Sequence, residues 1–297
     1  MPLSHSFQIG AFRCHALEAG IQRLDGGAMF GVVPKPLWEK RVAPDPRNRI
    51  PLAMRCLLVE HPDGLVLIDT GLGNKEDPKF MDIYGVENQG AAGPTQLEDA
   101  LAEAGYRADE VKWVINTHLH FDHAGGNTRA EGQRGGGAEI RLSFPGATYC
   151  VQRGDLGFAR NANERTRASY LPHNYEPVAK AGRFKLLEGD TTVLPGIRTR
   201  LVPGHVPFLQ GVLLESGAES LFYLADLVPT RHHLPLPWIM GYDVEPLRTL
   251  ESKRRLIAEA FAGGWTLFFE HDPEVMMGRL GGDVKRAELI DTVALGG

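Results

Sequence analysis

Three cysteines in 297 residues are too few, too scattered and odd in number for a disulfide framework. Cys14, Cys56 and Cys150 show neither zinc-ribbon nor redox spacing, so a reducing compartment fits and a cytoplasmic location is expected. No stretch reaches the ~18 uninterrupted apolar residues of a membrane helix, so no membrane partner is expected. Met1 to Gly10 holds no basic patch followed by an apolar core, so no secretory signal is expected. Neither sign of charge dominates. The 32 Lys and Arg against 37 Asp and Glu leave −5, which argues against a nucleic-acid partner. With 43% apolar and 23% charged residues, disordered, collagen-like and coiled-coil chains are excluded as well.

Glycine and proline are plentiful, at 35 and 20 residues, and imply many turns and short elements. Histidine is plentiful too, with 11 against the three cysteines. Phe7–Ala16 reads as an opening strand. Ile21–Ile50, rich in Gly and Pro, reads as a long hairpin tip or flap inserted in a single domain spanning 1–297. Leu52–Glu60 and Leu65–Ile68 are apolar strands around the turn His61-Pro62-Asp63-Gly64. Thr95–Ala104 is a helix, with Thr95 as cap, Glu98 three residues on and Gly105 as stop. Short strands follow at Lys112–Asn116, Thr148–Gln152, Phe184–Leu187, Ile197–Val202, Gly211–Leu214, Leu221–Ala225 and Trp265–Phe269. Helices are expected over Asp155–Arg167, Leu250–Phe261 and Val284–Val293, and Gly125–Gly137 reads as a loop. Many short strands mixed with a few helices indicate an α+β sandwich rather than a regular βαβ repeat.

The segment His118-Leu119-His120-Phe121-Asp122-His123 puts three histidines and one aspartate in six positions. In an extended chain, residues i and i+2 point to the same side, so His118 and His120 can grip one ion together. A helix would separate them by about 200°. Asp122 and His123 lie where the chain must turn and can face a second ion. Gly125-Gly126 lets the backbone turn there without a Cβ clash. Imidazole and carboxylate are the ligand set of zinc and related divalent metals. Five expected strands also end in a polar group able to bind or orient a metal: Asp69, the histidine cluster, His205, Asp226, and Glu270-His271-Asp272. Groups at the carboxyl ends of neighbouring strands can converge on one edge of a sheet.

In this order the motifs resemble those of the metallo-β-lactamase superfamily of metal-dependent hydrolases, from about Leu52 to Asp272. Leu67-Ile68-Asp69-Thr70-Gly71 matches the first motif and the histidine cluster the second. His205, Asp226 and His271 match the third, fourth and fifth. The resemblance implies a four-layer αβ/βα sandwich. It implies that His118, His120 and His205 hold one metal and that Asp122, His123 and His271 hold the other. Asp226 would bridge them, Asp122 and Asp226 would be the catalytic carboxylates, and Asp69 would orient ligands without binding metal. Two divalent ions are implied, zinc first, with Fe, Mn or Co acceptable to the same donors. Such a site lowers the pKa of bound water toward ~7 and polarises a carbonyl or phosphoryl oxygen.

Among branches of the family, the 26 residues after His271 leave no room for the helical substrate domain of glutathione-thioester hydrolases. The nuclease branch, the classical two-zinc β-lactamases and the flavin-linked diiron relatives each depart from this chain in an inserted domain or a motif residue. The remaining resemblance is to lactonases and organophosphate hydrolases, acting on a small ester, lactone or related electrophile. Alternatives are a phosphotriester or phosphodiester hydrolase on the same site, a mononuclear iron oxygenase like the persulfide dioxygenases, and a non-catalytic binding protein. Pro229 stands where several lactonases have a tyrosine that assists the leaving group. Tyr242, His232 or His233 would take that role, or the substrate has a better leaving group. Met29 and Phe30 in the flap, with His232, His233, Trp238 and Tyr242, are candidate pocket residues. For the flap, an apolar hairpin tip or a homodimer contact is the other reading.

Overall fold

In the computed structural model, residues 2–131, 139–283 and 286–294 are described. A first seven-stranded sheet has the order β1-β2-β3-β4-β5-β8-β9. Its strands are β1 Ser4–Ile9, β2 Phe12–Asp25, β3 Arg49–Glu60, β4 Leu65–Ile68, β5 Val111–Ile115, β8 Thr148–Gln152 and β9 Phe184–Leu187, while β6 Thr128–Ala130 and β7 Ile140–Leu142 form a separate hairpin. A second seven-stranded sheet runs in chain order through β10 Thr191–Leu194, β11 Ile197–Leu201, β12 Gln210–Ser216, β13 Glu219–Tyr223, β14 Thr266–Phe268, β15 Val275–Asp283 and β16 Arg286–Ala294. The helices are α1 Gly26–Phe30, α2 Lys35–Trp38, α3 Pro78–Ile83, α4 Gln96–Glu103, α5 Phe121–Ala124, α6 Arg153–Arg160, α7 Pro172–Lys180 and α8 Pro246–Gly263.

The chain divides into two compact units, residues 1–21 with 54–189, and residues 22–53 with 190–297. In the first, β4, β5, β8 and β9 are parallel. Parallel neighbours need long crossovers: α3 and α4 lie between β4 and β5, α5 with β6 and β7 between β5 and β8, and α6 and α7 between β8 and β9. The core of this unit packs Leu17, Met54, Leu58, Leu67, Leu97, Leu101, Val114 and Tyr149. In the second unit the strands are antiparallel except β13 and β14, which α8 joins. Its apolar cluster holds Met29, Phe30, Trp38, Ile50, Leu52 and Met240. Among the described residues no helix is long and apolar enough to cross a membrane.

Strands β4, β8 and β9 match the sequence expectation residue for residue, and α4 starts as its capping box requires, with Thr95 N–H donating to Glu98 Oε2 at 3.1 Å. Other expectations are corrected. The opening strand is a hairpin, β1 with β2, turning at Gly10. The supposed tip at 21–50 contains two short helices. Asp25 caps the first by accepting from Ala28 N–H at 2.8 Å, and burial of Met29, Phe30 and Trp38 makes the segment part of the core. The helix expected over Asp155–Arg167 begins at Arg153 and ends at Arg160. Pro172 then opens α7, which sequence periodicity did not reveal. The last helix, expected over Val284–Val293, is instead β16 from Arg286 onward, paired with β15 from Asp283↔Arg286 to Val275↔Ala294. Its half-buried Ala287 and Leu289 alternate with exposed Glu288 and Ile290, a period of two rather than 3.6. Residues 284 and 285 of that expectation lie outside the described residues. So do 132–138 of the expected loop Gly125–Gly137, whose start is a short helical turn and then β6.

Candidate metal centre

Four of the expected ligands lie in one short segment of the first unit. β4 and β5 are parallel with Ile68 opposite Ile115, so the chain leaves both strands at one edge. Asp69 follows directly, its N–H bonded to the Ile115 carbonyl at 3.0 Å. Its φ of +55° is uncommon for a residue with a Cβ. Its buried carboxylate accepts from Thr117 N–H at 2.7 Å through Oδ1. Through Oδ2 it accepts from the Thr117 hydroxyl at 2.6 Å and lies 3.1 Å from His123 Nδ1.

This network assigns tautomers. A carboxylate facing a ring nitrogen accepts from it, so His123 Nδ1 carries a proton and Nε2 is the nitrogen left to meet a metal. Thr117 has committed its proton to Asp69, so its oxygen, 3.1 Å from His118 Nδ1, accepts from that ring as well. One aspartate therefore sets, directly and through Thr117, the Nδ1 side of two histidines. The His118 ring lies 4.4 Å from His120 and 4.0 Å from His123. Asp122 Oδ1 is 3.7 Å from His123 Nε2.

The turn after this segment is pinned. Thr70 N–H and hydroxyl both donate to the His123 carbonyl, at 2.8 and 3.0 Å. A Cβ on Gly125 would fall onto the Leu72 carbonyl, and one on Gly126 onto the Thr70 carbonyl. The φ of Gly125 is an ordinary −60°, so close approach of backbone, not a special dihedral, is what requires glycine there. Lys75 donates to the carbonyls of Gly125 and Thr128, and burial pushes its ammonium down to about 7. Beside Asp122, Phe121 packs edge-on against Phe80 at 5.0 Å and tilted against Tyr84 at 4.9 Å.

The second unit brings together the other three. β13 and β14 are parallel with Tyr223 opposite Phe268, and Asp226 and His271 each lie three residues beyond that pair. His205 sits in the β11–β12 connection, beyond Leu201 and its partner Gln210. Asp226 is bracketed by two imidazoles, with Oδ2 3.0 Å from His205 Nε2 and Oδ1 3.0 Å from His271 Nε2. The Nδ1 of His271 is 2.6 Å from the Ala53 carbonyl, which can only accept, and the Nδ1 of His205 is 3.0 Å from Asp243 Oδ1. Both Nδ1 atoms therefore donate. Their Nε2 lone pairs would face carboxylate oxygens, which needs a cation between them: a proton or a metal ion. Without metal the proton serves. Burial would lower the His205 pKa, but the Asp226 and Asp243 carboxylates outweigh it and hold the ring up at about 10. This donor set fits a divalent ion.

The candidate pocket residues separate. His233 is buried, with Nδ1 2.8 Å from Thr230 Oγ1, Nε2 donating to the Met29 carbonyl at 2.9 Å and its ring stacked on Phe30. Met29, Phe30 and His233 present no appreciable surface, so none of the three is open to a substrate. Trp238 packs edge-on against Phe30 and is half-buried, His232 is half-buried, and Tyr242 is exposed. The Pro229 carbonyl accepts from His271 N–H at 3.1 Å. Thr117 and Asp243 escaped sequence reasoning, as did Lys253, whose buried ammonium donates to the carbonyls of His233 (2.5 Å), Pro235 (2.9 Å) and Trp238 (2.9 Å). No spacing rule marks them, because their partners are distant in sequence or are backbone atoms.

A family model described as the metallo-beta-lactamase superfamily matches residues 51–271. An N-acyl homoserine lactonase of Bacillus cereus is 30% identical over 237 residues, covering 77% of this chain and 85% of the relative. A crystal structure of a probable metal-dependent hydrolase from Staphylococcus aureus superposes with a TM-score of 0.85 at 28% identity, covering 97% of this chain and all of that one. The dizinc quorum-quenching lactonase AidC, at 21% identity, shares the fold with a TM-score of 0.78 over 98% of each chain.

Proposed function

We propose, from the premise that this chain belongs to the metallo-beta-lactamase superfamily, that it is a binuclear metal-dependent hydrolase of small neutral esters, with N-acyl homoserine lactones as its substrate class. The observation that carries this reading is the anchoring of four rings: Nδ1 of His118, His123, His205 and His271 is tied to an oxygen acceptor, which leaves Nε2 as the nitrogen to meet a metal. His118, His120 and His205 would hold one ion, and Asp122, His123 and His271 the other. Asp226, whose two oxygens face two different imidazoles, would be shared.

Bound there, two divalent ions supply a water of lowered pKa and a Lewis acid for the carbonyl. Asp69 and Asp243 hold the Nδ1 side of His123 and His205 and so aim the rings. Phe80, Tyr84 and Phe121, beside Asp122, offer an apolar surface for an acyl chain. His233 is locked at both nitrogens, which leaves Tyr242 or His232 to protonate the departing alkoxide.

The test is metal-reconstituted protein on a panel of N-hexanoyl homoserine lactone, aryl esters, phosphotriesters, thioesters and a β-lactam. Two metals per chain with preferential lactone opening, abolished by Asp226→Ala, is the expected result. One iron per chain with sulfite production from a persulfide would overturn it.

A further inference from the structure

Beside the His118–His120 pair lies a carboxylate that the proposed chemistry does not use. Asp155, in the first turn of α6, is buried. Its Oδ2 accepts from the backbone N–H of Leu119, the residue between the two histidines, at 2.9 Å. Its Oδ1 accepts from the Tyr170 hydroxyl at 3.1 Å. The Tyr170 ring in turn stands edge-on to His120, centroids 4.6 Å apart, and is backed by Phe158 at 5.8 Å. One residue further, the Ser169 carbonyl accepts from Phe121 N–H at 2.9 Å. The backbone on either side of His120 is thus held by Asp155 and by the 169–170 segment.

This matters because residues 116–120 belong to no strand. The i, i+2 alternation that lets two imidazoles reach one ion depends on the segment staying extended, yet no sheet ladder enforces it. A buried carboxylate costs several kcal/mol of desolvation unless it is hydrogen-bonded. Asp155 offsets that cost with two donors and the amino end of α6. An amide at this position would keep one acceptor and turn a donor toward one of them.

We propose that Asp155, buttressed by Tyr170, is the positioning residue for the His118–His120 pair, fixing the separation of the two imidazoles. The inference rests on reading those histidines as metal ligands.

The test compares wild type, Asp155→Asn and Tyr170→Phe. Zn(II) affinity is measured by competition with a chromophoric chelator, coordination by the visible spectrum of the Co(II)-loaded protein, and apo-protein stability by urea unfolding. Asp155→Asn is expected to weaken zinc binding by about 10–100-fold and to change the Co(II) band intensities, with Tyr170→Phe giving a smaller change in the same direction. Unchanged affinity and spectrum in both variants would overturn the proposal. So would a lowered urea midpoint with unchanged affinity of the folded protein, since that is a structural role alone. If Asp155→Asn does not fold, Tyr170→Phe decides by the same criteria. A wild type that takes up no zinc overturns the ligand reading as well, whereas normal wild-type loading beside an unaffected variant overturns only this one.

Discussion

His233 lies flat on Phe30, ring centroids 4.8 Å apart and planes 3° from parallel. Burial pushes the imidazole pKa down to about 3. Unfolded histidine titrates near 6.5, so between pH 6.5 and 3 the unfolded chain binds the proton more readily. Native stability therefore falls as pH falls through that window, by up to about 1.4 kcal/mol per pH unit from this group. His233→Gln removes the slope. It is expected to destabilise by roughly 2–4 kcal/mol at pH 7, from lost stacking and a lost bond to Met29, while the pH profile of turnover keeps its shape. Urea unfolding of both proteins from pH 4.5 to 7 checks the first claim. A shifted kcat profile would return His233 to the list of candidate acids.

Asp243 fixes the His205 tautomer and is itself held by the Thr249 hydroxyl at 2.6 Å. Asp243→Ala frees the imidazole to rotate and to protonate at either nitrogen. Zinc affinity should drop about 10–100-fold, with Thr249→Val showing part of the loss. Chelator competition measures both.

Gly126 offers a direct test of the packed turn. An alanine methyl there would meet the Thr70 carbonyl, and Thr70 also holds the His123 carbonyl. Gly126→Ala is expected to cost roughly 1–3 kcal/mol from overpacking and to weaken metal binding as the turn shifts. The urea midpoint and metal stoichiometry of the purified variant report the two effects. A wild-type value for both would show that the turn accommodates a methyl.

What could be read from sequence was local. The capping box at Thr95 and Glu98 and the apolar runs of β4, β8 and β9 depend on neighbours along the chain. The candidate ligand segment 118–123 stands out by its own spacing alone. Asp155, Asp243 and Lys253 have partners set by tertiary folding, and nothing around them in the sequence distinguishes them from solvated charges. The segment Ile21–Ile50 misled because glycine and proline signal turns without saying whether those turns are packed. Val284–Val293 misled because its apolar residues fit a helical period, while the preceding β15 offered a free edge that a strand could pair.

The equal reach of Asp226 and His271 beyond the Tyr223–Phe268 pair has a consequence for how this chain tolerates change. Two two-residue spacers act as rulers measured from one shared rung of the sheet. The chain between the strands, α8 included, can lengthen or shorten without altering either ruler. A single residue inserted into one spacer would put its ligand out of step with the other, however well the rest of the protein folds. Insertions distributed through 227–265 should therefore spare metal binding far more often than one placed in 224–225 or 269–270.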